Sequence, residues 1–267
     1  MLSKLLKHEF RATARVMLPV YLLLFLSSGL STAFMYLSQR YDVRAMAIFH
    51  GLTTFLFVVA MIGAAIITLV LMVDRFYKYY MTEEGYLMFT LPSTTSRLIW
   101  SKLIVALVWS VVTIAAEIAV LAICPPTRKV LFDLIPGLID LWKAIIAYLP
   151  TLQVIAYTAE VVVIVVLGAL ATYLMFYAAI ALGHSFANHK ILFSVLLYIG
   201  FSIVLQIIVS FGGISGLFAV ADSSYFETHI LNAAHTLLLA VLLYYLIISA
   251  VFYLITHLNL KKRLNLQ

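Results

Sequence analysis

Long apolar runs separated by short polar ones set the plan of this chain. A bilayer crossing needs roughly 20 apolar residues, and six stretches reach that length: residues 16–37, 49–73, 98–122, 152–182, 191–211 and 231–258. Ahead of them, residues 1–15 follow a different period. Leu2, Leu5, Leu6, Phe10 and Ala14 recur at three and four residues, with Lys4, Lys7, His8, Arg11 and Arg15 between them. That pattern predicts an amphipathic helix lying at the membrane interface, its basic face towards anionic lipid headgroups. Residues 130–149 are apolar enough to suggest a seventh span, but Asp133, Pro136, Asp140 and Lys143 interrupt them. Leu134, Ile135, Leu138, Leu141, Trp142, Ile145 and Ile146 instead suit a helix resting on the outer interface within the loop 125–151. Residues 212–225, GGISGLFAVADSSY, are small and free of Lys and Arg, which predicts an outer turn.

Composition agrees with six spans. Hydrophobic residues make up 65% and charged residues 10% of 267, with a mean hydropathy of +1.11. A soluble domain carries about 25% charged residues, so the expected class is an all-α, polytopic membrane protein forming one transmembrane domain over residues 1–267. Six crossings leave both termini on one side. Sorted on that plan, Lys4, Lys7, Arg11, Arg15, Arg75, Lys78, Arg97, Lys102, Lys190, Lys261, Lys262 and Arg263 share a side; Arg40, Arg44, Arg128, Lys129 and Lys143 fall on the other. The richer side is expected to be cytoplasmic. The basic excess, 17 Lys and Arg against 11 acids, therefore belongs to membrane orientation rather than to nucleic acid.

The most water-compatible run between two spans is DRFYKYYMTEEGYLMFTLP, residues 74–92. Charges at Asp74, Arg75, Lys78, Glu83 and Glu84 alternate with Phe76, Tyr79, Tyr80, Tyr86, Leu87, Met88 and Phe89. A loop that only returned the chain to the bilayer has no need of those aromatics, and exposed apolar patches mark partners or membrane surfaces. Thr82 followed by Glu83 and Glu84 is a helix start, with a capping oxygen and acids at the positive dipole end, and Pro92 closes the segment.

Polar residues inside spans are the other candidates for function, because hydrocarbon disfavours them unless they face the bundle interior. Lys102, Ala106, Ser110, Thr113 and Glu117 repeat along one face of the third span; Tyr157 and Glu160 lie in the outer part of the fourth; Ser202, Gln206 and Ser210 form a stripe on the fifth. These faces are candidates for a translocation path or for helix-to-helix bonding. Glu117 and Glu160, at similar outer depth, would together favour cationic cargo. His50, His235 and His257 sit near span ends and carry no ligand pattern. Catalytic signatures are missing. The chain has no phosphate loop, nucleophile elbow or H-E-x-x-H, and its single cysteine, Cys124, has no internal partner. No metal or cofactor is expected on this chain, and no enzymatic role.

EGYLMFTLP followed five residues later by Leu98 and then by Ser101, Lys102 and Leu103 resembles the first cytoplasmic loop and following span of ABC-2 type permeases, the membrane subunits of Gram-positive bacterial ATP-binding-cassette exporters. The resemblance implies a permease subunit in the cytoplasmic membrane, both termini inside, paired with a second copy or a paralogous permease. It implies that ATP and Mg are bound by a separate ATPase subunit. Thr82, Glu83, Glu84, Gly85, Tyr86, Leu87, Met88, Phe89 and Leu91 then form a coupling helix seated on that ATPase, with residues 1–15 as a connecting helix beside it. Peptides, drugs and lipid-like molecules are among the cargoes of such exporters. An ion-coupled secondary transporter using Glu117 and Glu160 is the alternative reading of the residues.

The charge split makes the topology testable. Cysteines introduced at Ser93 and Leu264 are expected to be protected from an impermeant thiol reagent in intact cells, and labelling of Ser93→Cys from outside would overturn the six-span plan.

Overall fold

The computed structural model describes residues 2–41, 43–81, 94–125, 132–137, 139–140, 143, 151–186, 189–221 and 230–262. Six long helices carry the chain: α1 (Leu2–Arg40), α2 (Arg44–Met81), α3 (Thr95–Ile123), α4 (Thr151–Gly183), α5 (Lys190–Ala221) and α6 (Ile230–Lys262). No strand occurs among the described residues. All six are long and apolar enough to cross a membrane.

Helix ends depart from the apolar runs in three places. The amphipathic segment 1–15 and the span 16–37 form one unbroken helix of 39 residues, about 58 Å at ~1.5 Å per residue. Nothing between Arg15 and Val16 stops a helix, and Pro19, inside it, removes only one hydrogen bond. The expected division of faces holds: Lys4, Lys7, His8, Arg11 and Arg15 are exposed, and Leu5, Leu6, Phe10 and Ala14 are half-buried. Asp74–Met81, expected in a loop, continues α2. Gly212 to Ala221, expected in a turn, continues α5, since glycine weakens a helix without ending it. Residues 132–137 are helical and exposed. The proposed coupling residues Thr82, Glu83, Glu84, Gly85, Tyr86, Leu87, Met88, Phe89 and Leu91 lie outside the described residues.

The chain divides into two compact units. Residues 1–72 and 104–149 form the first; residues 73–103 and 150–267 form the second. In the first, Leu24, Phe57, Ala64, Val120 and Cys124 from α1, α2 and α3 make a buried cluster. In the second, α4 packs most extensively on α6 and also on α5. The α4–α5 connection is tight. Ser185 N–H donates to the Leu182 carbonyl and Phe186 N–H to that of Gly183, while Phe186 stacks on Phe193 at 4.5 Å. His189 adopts a left-handed φ of 53°, and its carbonyl accepts the Phe193 N–H.

At Gly183 the backbone of α4 lies against Ser194 of α5. A Cβ there would meet the Ser194 side chain and lie 2.6 Å from the Ser194 backbone nitrogen, so backbone would have to move. At Gly168 a Cβ would sit 3.6 Å from the Tyr245 ring, an ordinary contact. Gly183→Ala is therefore expected to destabilise the protein by about 1–3 kcal/mol or more, and Gly168→Ala to be tolerated. Thermal melts of the two variants in the same detergent check the contrast.

Candidate functional site

Polar side chains of the first unit join three helices through neutral hydrogen bonds. On α1, Glu9, Thr13, Met17, Tyr21, Leu24, Ser28 and Ser31 recur at three and four residues, and all are buried. Thr13 Oγ1 donates to the Glu9 carbonyl at 2.8 Å and accepts Trp109 Nε1–H at 2.8 Å. One turn along α3, Thr113 is buried at the centre of a hydroxyl cluster: its Oγ1 is 2.8 Å from Tyr21 Oη and 2.8 Å from Thr68 Oγ1. Thr113 also donates to the Trp109 carbonyl at 2.9 Å, and Thr68 to that of Ala64 at 2.7 Å. Three hydroxyl protons serve four contacts in that cluster, so at least one proton is shared between two acceptors. Glu117, the next turn of α3, is half-buried, and its Oε1 is buried with no hydrogen-bond partner among the described residues. Ser110 donates to the Ala106 carbonyl at 2.9 Å.

The second unit holds a different chemistry. Glu160 on α4 faces His235 on α6, with Nδ1 at 2.9 Å from Oε1 and 3.1 Å from Oε2. Tyr157, one turn before Glu160, sets its ring edge-on to His235 at 5.7 Å and 84°. The Nδ1–H donates into the carboxylate, which fixes the imidazole tautomer and ring orientation. Measured from Gly183, Glu160 lies 23 residues back, about 35 Å of helix; measured from Lys261, His235 lies 26 residues back, about 39 Å. Either distance exceeds the hydrocarbon thickness of about 30 Å.

The basic end of the second unit is aromatic. Phe76 and Tyr80, on the last turns of α2, are fully buried. Phe76 stacks on Tyr177 of α4 at 3.9 Å and 6°, with Tyr80 edge-on to Phe76 at 5.0 Å. Lys102 Nζ stands 3.2 Å from the centroid of Tyr79, a cation–π contact strengthened by the burial of the lysine. Ser96, at the start of α3, bonds Tyr253 of α6 at 2.6 Å. His184, just past α4, sets its ring against Tyr77 and donates Nδ1–H to the Ile180 carbonyl at 2.9 Å. Burial holds its imidazole below the usual pKa; the Ile180 carbonyl opposes this and Lys190 adds to it.

Of the sequence candidates, Thr113 and Glu117 lie in the first unit, and Tyr157 and Glu160 come together in the second. Ser202 is half-buried and bonds back to the Tyr198 carbonyl at 2.8 Å, while Gln206 is exposed. Neither bridges to another helix among the described residues. Sequence inspection placed His235 near a span end without a partner; that partner, Glu160, is 75 positions away. Inspection missed Tyr21 and Thr68, though the periodic stripe on α1 that holds Tyr21 was open to the same spacing test as α3. No group of three metal-ligating side chains occurs among the described residues.

Six helices long and apolar enough to cross a membrane mark the chain as a multi-pass membrane protein. Compared with known proteins, the chain matches no family model, no curated relative and no solved structure.

The Glu160–His235 bond is expected to stabilise the α4–α6 pair modestly, because the side chains are 14% and 42% exposed. A double-mutant cycle of Glu160→Gln and His235→Leu, read by thermal melts, should return a coupling of about 0.5–1.5 kcal/mol. Additive losses would show that the pair does not join the helices.

Proposed function

We propose that this chain is the permease subunit of an ATP-driven exporter of the bacterial cytoplasmic membrane, with residues 82–91 as the element that a separate ATPase subunit moves. The observation that carries this reading is the anchoring at both ends of the segment 82–93. On one side Phe76 and Tyr80 are fully buried, Phe76 against Tyr177; on the other, Ser96 and Trp100 engage Tyr253. A loop that only joined two spans gains nothing from such fixing. A loop that must pass a push from a soluble partner into transmembrane helices needs stiff connections, since coupling travels through packed, contiguous groups. The motif EGYLMFTLP with Ser101, Lys102 and Leu103 supports the same role, and on this reading ATP and Mg bind the separate ATPase subunit.

Glu83 and Glu84 orient the docking by pairing with basic groups on the ATPase, and Tyr86, Leu87, Met88 and Phe89 supply its apolar contact. Glu117 and Glu160 are the carboxylates available to cargo on this reading, while Thr113 is buried and its hydroxyl is taken up by Tyr21, Thr68 and the Trp109 carbonyl. Glu160 already has His235 as a partner, so Glu117 is the stronger of the two carboxylates for attracting a cation. The ion-coupled alternative rests on the same orphaned oxygen of Glu117. It differs in predicting transport that survives loss of the ATPase and stops with an uncoupler.

Replacing Tyr86 and Phe89 with Ala is expected to reduce copurification of the ATPase encoded beside this chain, and its cargo-stimulated hydrolysis, by about tenfold, as for loss of aromatic anchors at an interface. The inserted amount of permease should not change. An unaltered complex and hydrolysis rate would rule out docking at this segment.

A further inference from the structure

The helices of the first unit hold an unbalanced charge. Residues 16–39 of α1, 45–72 of α2 and 104–123 of α3 contain no Lys, Arg or Asp, and Glu117 is their only acid. His50, the one histidine among them, lies 18 residues before Thr68 on α2, about 27 Å along the helix. No side chain of those stretches can therefore supply a counter-charge to the Glu117 carboxylate, whose Oε1 is buried and has no hydrogen-bond partner among the described residues. A carboxylate so placed is costly unless a positive charge reaches it.

What stands beside it is oxygen. α1 and α3 run in the same direction, joined by Tyr21 to Thr113 and, seven residues further along each helix, by Ser28 to the Val120 carbonyl. Glu117 falls between those two bonds on α3, and a helical side chain leans back towards the preceding turn, here the turn of Thr113. It is near enough to Tyr21 for carboxylate and phenol to interact electrostatically. Within the hydroxyl cluster, Thr113 and Thr68 already donate to the Trp109 and Ala64 carbonyls. The Thr68–Thr113 contact at 2.8 Å must then share a proton already in use, whichever way Tyr21 points, and a lone pair on each oxygen is left for a cation.

The set is one carboxylate and three hydroxyls, without nitrogen or sulfur, and oxygen ligands suit hard cations. One negative charge balances one positive charge, whereas a divalent ion would keep an uncompensated charge away from water. A proton on Glu117 would neutralise the acid and leave the hydroxyl oxygens competing as before; a metal ion answers both. We propose that Glu117, Tyr21, Thr113 and Thr68 bind one alkali cation between α1, α2 and α3, sodium in preference to potassium because oxygens 2.8 Å apart close on a small ion. This gives the Glu117 carboxylate a ligand of its own, and it does not rest on any ATPase.

The test uses the full chain purified in detergent, in sodium, potassium or choline chloride at one ionic strength. Thermal melts should show a saturable rise with sodium of about 3–6 °C at ten times its Kd, the shift for a ligand that binds only the folded state, a smaller rise with potassium and none with choline. Radiosodium binding should saturate at one ion per chain. Glu117→Gln should remove the sodium response, and Tyr21→Phe, which deletes one ligand oxygen, should weaken sodium binding by about tenfold. An equal response to all three salts, a response to acidification alone, or sodium binding that survives Glu117→Gln would each overturn the proposal. Should Glu117→Gln fail to fold, the salt preference of the unaltered chain and the loss in Tyr21→Phe decide it. Copurification of the ATPase, scored on the same preparations, reports separately on the exporter reading.

Discussion

Hydrocarbon offers no hydrogen bonds, and that single constraint accounts for most of what this chain does with its polar groups. Backbone amides are satisfied inside six helices because no other open arrangement of segments satisfies them. Side-chain hydroxyls follow the same rule. Thr13, Thr53, Thr68, Thr113 and Thr256 are all buried, and each donates to a carbonyl of its own preceding turn. Where two such groups meet, as at Tyr21, Thr68 and Thr113, helices are joined by neutral bonds that need no charge.

Charge is handled by position along the helix. The Glu160–His235 pair sits about 35 Å from the Gly183 end of α4 and about 39 Å from Lys261 near the end of α6, distances that exceed the hydrocarbon thickness. Lys102 is buried, as is Glu9, and the lysine is placed over the face of Tyr79, whose quadrupole replaces part of the lost hydration. Aromatic rings therefore do two jobs at the basic end of the second unit. They hold a lysine, and through Phe76, Tyr80 and Tyr177 they lock the end of α2 on α4.

Sequence and structure agree on the six spans because an apolar run of about 20 residues is a property of the membrane that any window detects. Helix ends were harder to read, since apolarity measures the bilayer and not the helix. α2 runs on through Asp74, Arg75 and Lys78, where an i to i+4 ion pair, Lys78 to Asp74 at 2.8 Å, continues the helix into water. α1 absorbs its amphipathic beginning for the same reason: a change of solvent is not a break in the backbone. Thr113 was legible from its spacing with Glu117, and its partners were not. Tyr21 and Thr68 belong to other helices, and a pairing between distant segments leaves no local trace in one sequence.

The same limit applies to His235. From its position it was a histidine at a span end with no ligand pattern; beside Glu160 it orients a carboxylate that would otherwise be a bare charge at the rim. That changes the charge Glu160 presents to its surroundings. A carboxylate already accepting an Nδ1–H on both oxygens, with Tyr157 against the imidazole, presents less negative potential than Glu117, whose Oε1 has no partner among the described residues. Two acids that looked equivalent by depth are therefore unequal by environment: one is set to hold two helices together, and the other is left with bonding capacity to spare.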